Sequence, residues 1–326
     1  MRILSVRHES WPLRGVFAIS RGARTQSEVV VVEVREGDAV GRGECVPYPR
    51  YGESVAGVVA ALEQLAEPVA RGLERTELEN RLEAGAARNA LDCALWDLAA
   101  KARGRPVHEL AGLPAPHPVV TAFTISLDAP DAMAARAAEA RAYPLLKLKL
   151  GGEGDLERVR AVRAAVPNTR LMVDANEAWT PGQLPDYLAA MANLGVELVE
   201  QPLHAGEDAA LAGVAHPVPI CADESCHTSA DVPQLGGRYD VVNIKLDKAG
   251  GLTEAMRVAT AAQANDLRVM VGTMMGTSLL MAPAMLLAST AEWVDLDGPL
   301  WLARDRDDAL RWDGTHLHPP TRALWG

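Results

Sequence analysis

The chain has 326 residues, with 32 Lys+Arg against 43 Asp+Glu and a formal net charge of −11. That acidity argues against nucleic acid, whose phosphates require a basic face to displace their counterions, and against an anionic membrane surface. Length allows one large barrel or two domains, and a 48% hydrophobic content is enough to bury a sizeable core.

Residues 1–112 read as a mixed α+β unit. Two β-rich runs, Ile3–Val6 and Val29–Val34, surround a polar segment, Ser20–Glu28. A GDAVGRGE turn then leads into a Pro/Tyr/Gly loop at Pro47–Ser54, and helical patterning follows over Val55–Arg71 and Ala86–Lys101. The opening MRILSVRHESW has no apolar stretch of the kind a secretory signal carries. Four cysteines without a CxxC pair fit a reducing compartment, so a cytoplasmic location is expected.

Beyond a proline-rich linker at Pro114–Pro118 the texture becomes rhythmic. Short β-rich runs recur at 121–127, 145–150, 170–176, 196–202, 218–225, 239–246, 267–273 and 292–299. Ala-rich helical segments such as Asp155–Ala165, Thr180–Ala192 and Leu252–Ala264 lie between them. Strands alternating with helices imply βαβ units and a parallel sheet. Eight such strands predict a closed (β/α) barrel over residues 113–299, with an open doubly wound sheet as the alternative.

Strands of such a barrel are buried on both faces and should be apolar throughout. Here ionisable residues break the rule near strand ends: Lys147 and Lys149, Asp174, Glu200, Asp223, Lys245, and Asp295 with Asp297. The steps from Lys149 through Asp174, Glu200 and Asp223 to Lys245 are 25, 26, 23 and 22 residues. Each is the length of one βα unit, so these side chains take equivalent places at the C-terminal mouth, where barrel enzymes carry their chemistry. Asp174, Glu200 and Asp223 converging on one point would repel. A hard cation such as Mg²⁺ resolves the repulsion, and an all-carboxylate set suits it.

The lysines are informative because they are scarce. Only Lys101, Lys147, Lys149, Lys245 and Lys248 occur among the 32 cationic residues, and four of the five lie in two clusters. Lys147 and Lys149, two apart on a strand, share a face. Positive charge from each other and from a metal is expected to lower their pKa toward a basic role. Lys245 approaches from the other side, so two amines flank one reacting carbon. Lys248, past the strand end, is expected to be exposed or a supporting cation. Lys101 sits in the helix and has no catalytic role.

Taken together, KLK at 147–149, VDAN with Asp174, VEQP with Glu200, ADES with Asp223 and NIKLDKAGG with Lys245 resemble the enolase superfamily in its muconate-lactonising subgroup. The helix ARNALDCALWDLAAK is similar to that superfamily's capping-domain helix. The resemblance implies an α/β fold, a modified (β/α)7β TIM-type barrel with an N-terminal capping domain, against which the tail of residues 300–326 packs. Within the subgroup the chain most resembles dipeptide epimerases of the L-Ala-D/L-Glu type. That likeness implies Lys149 and Lys245 as acid–base pair, Mg²⁺ on Asp174, Glu200 and Asp223, and a small dipeptide substrate. An enediolate would form, its charge stabilised by the metal as Lewis acid; lysine bases with Mg²⁺ are a pattern already described for this superfamily. Asp295 and Asp297 would bind the dipeptide's ammonium, and Arg24, rather than Arg21 or Arg50, its distal carboxylate. Lys147 would tune Lys149 and contact the substrate carboxylate, with Thr124 and Asn176 as substrate or supporting contacts.

One departure is Gly276 in VGTMMGTSL, where relatives tend to carry an acidic residue; it bears on side-chain specificity. Rival readings are an o-succinylbenzoate synthase, an N-succinylamino-acid racemase or a cycloisomerase of the same subgroup, and a catalytically silent barrel that only binds. The sequence leaves oligomeric state open, a homo-oligomer included.

Overall fold

The structure, a computed structural model, describes residues 1–326. An antiparallel sheet opens the chain, with β1 (Ile3–Ile19), β2 (Gly22–Glu36) and β3 (Ala39–Cys45) in that order. The segment expected to be a polar interlude, Ser20–Glu28, is instead a two-residue turn followed by strand. β1 and β2 pair continuously from Ile3↔Arg35 to Ile19↔Gly22, apart from one register shift between Pro12 and Phe17. Polar side chains suit both partners because this end of the ribbon reaches over the barrel mouth, where the backbone ladder is joined by side-chain contacts from Ser20, Arg21 and Ser27.

Alternation explains the run of valines in β2. Val30, Val32 and Val34 join the capping-domain core beside Ala90, Leu91, Ala94, Leu95 and Leu98 of the helix Ala86–Arg103, whereas Val29 and Val31 point into the main core. A period of two sends neighbours to opposite faces, so a strand buried on both sides reads as continuously apolar. Gly41 and Gly43 on β3 lie against the helix backbone at Ala90, Ala94 and Leu98, where any Cβ would clash. Val55–Arg71, expected as one helix, is two, Val55–Glu63 and Ala66–Ala70.

The second sheet contains β4 (Phe123–Ile125), β5 (Leu145–Lys149), β6 (Arg170–Asp174), β7 (Val196–Glu200), β8 (Ile220–Ala222), β9 (Val241–Ile244), β10 (Arg268–Gly272) and β11 (Trp293–Asp295). All are parallel and lie in chain order. The amide of Ala122 donates to Val294 O at 2.8 Å, which joins the first strand to the last and closes the barrel. Helices cover most strands, but only short 3₁₀ turns (Asp208–Leu211 and Val232–Gln234) follow β7 and β8.

One inward residue per unit, Ala122, Leu145, Met172, Leu198, Cys221, Val241, Met270 and Trp293, forms a separate apolar plug. Two residues further along, the same inward face carries Thr124, Lys147, Asp174, Glu200, Asp223, Asn243 and Asp295, with Gly272 in the eighth place. The floor is therefore apolar and the mouth ionic. The C-terminal tail runs back to the capping unit, where Trp325 Nε1 donates to Cys93 O at 3.1 Å and Gly326 N to Asp97 Oδ1 at 2.8 Å. No helix is long and apolar enough to cross a membrane.

Candidate active site

A pocket at the barrel mouth is lined by barrel residues Thr124, Lys149, Asn176, Asp223, Lys245, Asp295 and Asp297, and by Arg24 from the capping unit. Lys149 and Lys245 reach it from β5 and from just beyond β9, four strands apart in an eight-stranded barrel and therefore on opposite sides. Lys147, Asp174 and Glu200 lie immediately beneath, fully or nearly fully buried.

The buried groups form an interleaved ionic network. Lys149 Nζ is 2.6 Å from Asp174 Oδ2, and Lys245 Nζ is 2.6 Å from Asp223 Oδ2. Lys147 Nζ touches three carboxylates: Glu200 at 2.6 Å, Asp295 at 2.7 Å and Asp174 at 3.3 Å. The expected lowering counted the charge of a metal; among these side chains alone, Lys147 shifts the other way. Burial disfavours the charge on Lys147, but Asp295, Glu200 and Asp174 outweigh it and hold the ammonium well above the usual lysine range. Lys245 is likewise raised against its burial, chiefly by Asp223 and then Glu200. The neighbours that decide are carboxylates, which outnumber the amines.

Of the two places expected for it, Lys248 takes the supporting one. It is buried, and its Nζ lies 2.7 Å from Asp223 Oδ1 and donates to the carbonyl of Asn243 at 3.0 Å. The chain turns into a short helix, Leu246–Ala249, directly after Lys245, which brings Lys248 back under the site. It supports Asp223 and is not exposed.

The donor set fits a hard cation. Glu200 Oε2 and Asp223 Oδ1 are buried oxygens without a well-aligned hydrogen-bond donor, as is the nearby Asn176 Oδ1. Glu200 Oε2 does lie at ion-pair distance from Lys147, but off hydrogen-bond geometry. No three side chains converge into a coordination cluster by themselves, because lysine ammonium groups are packed between the carboxylates. Oxygen-only, anionic and buried, the set suits Mg²⁺ or a similar ion far better than zinc.

Around the rim the expected residues are sorted by their partners. Thr124 N donates to Asp297 Oδ2 at 2.6 Å. Burial, then the adjacent charge of Asp295, pushes Asp297 up to about 7. Among the arginines, Arg21 is taken by Glu224 at 2.6 Å and Glu177 at 3.2 Å, and Arg50 by Glu177 at 2.8 Å. Arg24 lines the pocket beside Tyr48, its guanidinium carbon 5.9 Å from the ring centroid, and forms no ion pair.

Sequence reasoning missed several residues. Asn243 Nδ2 donates to Glu200 Oε1 at 2.8 Å; a polar residue two before Lys245 on the inward face was the available signal. Glu224 borders the pocket beside Asp223, pushed up to about 7 by burial and then by Asp223 and Asp174. Gly276, the position where an acidic residue was expected, leaves little room for a side chain. A Cβ there would lie 2.6 Å from Leu280 Cδ2 and 2.9 Å from Glu44 Oε1, so a carboxylate from β3 already occupies that place.

Comparison with known proteins agrees with this architecture. Residues 1–112 match the mandelate racemase/muconate lactonizing enzyme N-terminal domain, and residues 131–323 the enolase C-terminal domain-like family. The L-Ala-D/L-Glu epimerase of Escherichia coli K12 is 49% identical over 320 residues, covering 98% of this chain and all of that protein. An N-acetyl-D-glutamate racemase of a Pseudoalteromonas species is 45% identical over 300 residues, covering 91% and 95%. A solved enolase family member from Agrobacterium tumefaciens, with homology to dipeptide epimerases and with sodium and L-Ala-L-Glu bound, superposes over the whole of both chains with a TM-score of 0.98 and 51% identity. More distant dipeptide epimerases of the same shape were solved with Mg and a dipeptide.

Proposed function

The chain belongs to the mandelate racemase/muconate lactonizing enzyme family of the enolase superfamily, and from that premise we propose that it is a Mg²⁺-dependent dipeptide epimerase acting on L-Ala-D/L-Glu. One observation carries the reading: Lys149 and Lys245 face a single pocket from opposite sides of the barrel, while Asp297 and Arg24 border it without a salt-bridge partner. The first pair can serve the two faces of one carbon. The second pair can hold the two ends of a substrate that carries an ammonium and a distal carboxylate.

Asp174, Glu200 and Asp223 would hold the metal. When bound, Mg²⁺ neutralises these carboxylates, weakening their hold on the lysines, and polarises the substrate's carboxylate as a Lewis acid. One lysine, as free amine, takes the α-proton of the C-terminal residue, and the other, as ammonium, returns a proton to the opposite face, inverting the centre. Lys147 neutralises charge under the reacting carboxylate. Asn243 orients Glu200, and Lys248 orients Asp223. Thr124 fixes the rotamer of Asp297, whose ionised form accepts the α-ammonium. Arg24 receives the glutamyl carboxylate, and the capping unit, residues 1–112, excludes water from the mouth.

A second reading is racemisation of an N-acylated glutamate. It is favoured by the Pseudoalteromonas relative and by the pairing of Asp295 with Lys147, which leaves one free carboxylate rather than two for an ammonium. Both readings share a glutamyl group. The deciding experiment incubates L-Ala-L-Glu, N-acetyl-glutamate and a dipeptide library separately in D₂O with Mg²⁺, and follows α-deuteration by mass spectrometry. Deuteration of Ala-Glu well ahead of N-acetyl-glutamate, abolished by EDTA, supports the first reading, and the reverse preference supports the second. No deuteration of any substrate overturns both.

A further inference from the structure

We propose that Glu177 is a positioning residue that latches the hairpin tip carrying Arg24 onto the barrel mouth. This deepens the proposed function and rests on it for the kinetic readout only. Glu177 follows β6, three residues past Asp174, and its side chain is almost fully buried although it sits at the rim. One carboxylate there collects three elements. Arg50 binds it through two nitrogens, at 2.9 Å and 2.8 Å, and Arg21 donates to it at 3.2 Å. The amide of Ala205, in the loop after β7, donates to it at 2.9 Å.

Arg21 and Ser20 form the turn between β1 and β2, and both also donate to the carbonyl of Asn176 at 2.9 Å. Arg24 lies three residues along the same ribbon, paired with Phe17, and the two side chains border the pocket together. Further down the ribbon Ala18 is anchored too, its amide donating to Ser126 Oγ at 2.7 Å. Beyond that point the tip is held by Glu177, by the Asn176 carbonyl and by Glu224, which lies 2.6 Å from Arg21.

Backbone conformation points the same way. Asn176 and Glu177 have φ of 45° and 66°. Asn tolerates the left-handed region, but Glu enters it only against steric cost, and such residues persist where their surroundings impose them. Here the left-handed pair turns the Glu177 carboxylate toward the capping unit. Without it Arg50 would lose its anion and Arg21 would keep only Glu224 and the Asn176 carbonyl, loosening the tip that positions Arg24.

The test uses the full chain, with Glu177→Gln, Glu177→Gly and Arg50→Gln compared with wild type. Substrate-free hydrogen–deuterium exchange is expected to rise in residues 19–24 and 48–52 together in all three variants, with residues 170–174 unchanged. With L-Ala-L-Glu, KM should rise roughly tenfold or more, the scale of losing a charge-assisted hydrogen bond, while kcat stays within about threefold. Glu177→Gly relieves the positive φ as it removes the carboxylate, so wild-type behaviour in that variant would overturn the latch. Unaltered exchange at the tip in Glu177→Gln and Arg50→Gln would overturn it too, as would a fall in kcat with KM unchanged. If wild type turns over no dipeptide, the proposed function fails, and the exchange measurement alone still decides the latch.

Discussion

Lys147 on β5 and Asp295 just before the mouth on β11 meet inside the barrel, Nζ to Oδ2, at 2.7 Å. The pairing divides the Asp-Leu-Asp motif into unequal halves. Asp295 already faces a cation, whereas Asp297 is buried, accepts only from Thr124, and forms no salt bridge. A substrate ammonium would complete Asp297 and add less to Asp295.

Asp297→Asn should therefore raise KM for L-Ala-L-Glu roughly tenfold or more, as expected for a buried charge-assisted contact, and leave an N-acylated glutamate nearly unaffected. Steady-state kinetics on the two substrates check this. Equal losses on both would assign Asp297 to the fold and not to the ammonium.

The same residue sets a pH dependence. Burial and Asp295 push Asp297 up to about 7, so the proton is bound, and the anion lost, as pH falls through that value. On the acid side kcat/KM for the dipeptide should drop by about tenfold per pH unit below the pKa, the limit for one essential ionisation. In Asp297→Asn the component near pH 7 should disappear, leaving only the titration of the lysine that acts as free amine.

Removal of either proposed base should stop inversion but not folding. Lys149→Ala leaves Asp174 near Lys147 at 3.3 Å, and Lys245→Ala leaves Asp223 with Lys248 at 2.7 Å, so neither change strands a lone buried carboxylate. Loss of a positioned acid–base group typically costs about 10²–10⁴ in rate, and both variants should show at least that in epimerisation while keeping the wild-type circular dichroism spectrum. Full activity in either would sink the two-base assignment.

Asp247 offers a stability test away from the chemistry. It is buried, accepts from Val46 N at 3.1 Å and Asn89 Nδ2 at 3.0 Å, and burial pushes it up to about 8. Its unfolded pKa is about 3.9, so between about pH 4 and 8 the folded state holds a proton that the unfolded state has lost. Stability from this site is then greatest at the acid end of the window and falls as pH rises. Asp247→Asn keeps the acceptor oxygen and removes the titration. Its melting temperature relative to wild type should increase from pH 5 to pH 8, and a constant difference would refute the linkage.

At Gly276, Ala should destabilise by about 1–3 kcal/mol through overpacking against Leu280, and Glu by more, because it meets the Glu44 carboxylate as well. Thermal unfolding of both variants measures this. Unchanged melting would mean that Leu280 and Glu44 yield and the position tolerates a side chain.

Much of the site could be read from the chain because its cause is local. A residue two beyond an inward apolar residue also points inward, so Leu145-Leu-Lys147-Leu-Lys149 places both amines once Leu145 is in the floor. The same offset carries Met172 to Asp174, Leu198 to Glu200 and Trp293 to Asp295. The polar ribbon Ser20–Glu28 was illegible for the opposite reason. Its strands are held by cross-strand backbone bonds, and no buried face marks them in the sequence.

By itself, then, the sequence determined the repeat of βα units, the inward register and hence which carboxylates and lysines share the mouth, since period and spacing are short-range properties. Tertiary structure alone decided which charge is spent and which is free. Arg21 and Arg50 are bound to Glu177 while Arg24 is not, Lys248 is folded under Asp223, and Lys147 neutralises Asp295 but not Asp297. Those pairings span elements about 100 or more residues apart in most cases, and a group's charge state depends on whichever partners the fold places within a few ångströms of it.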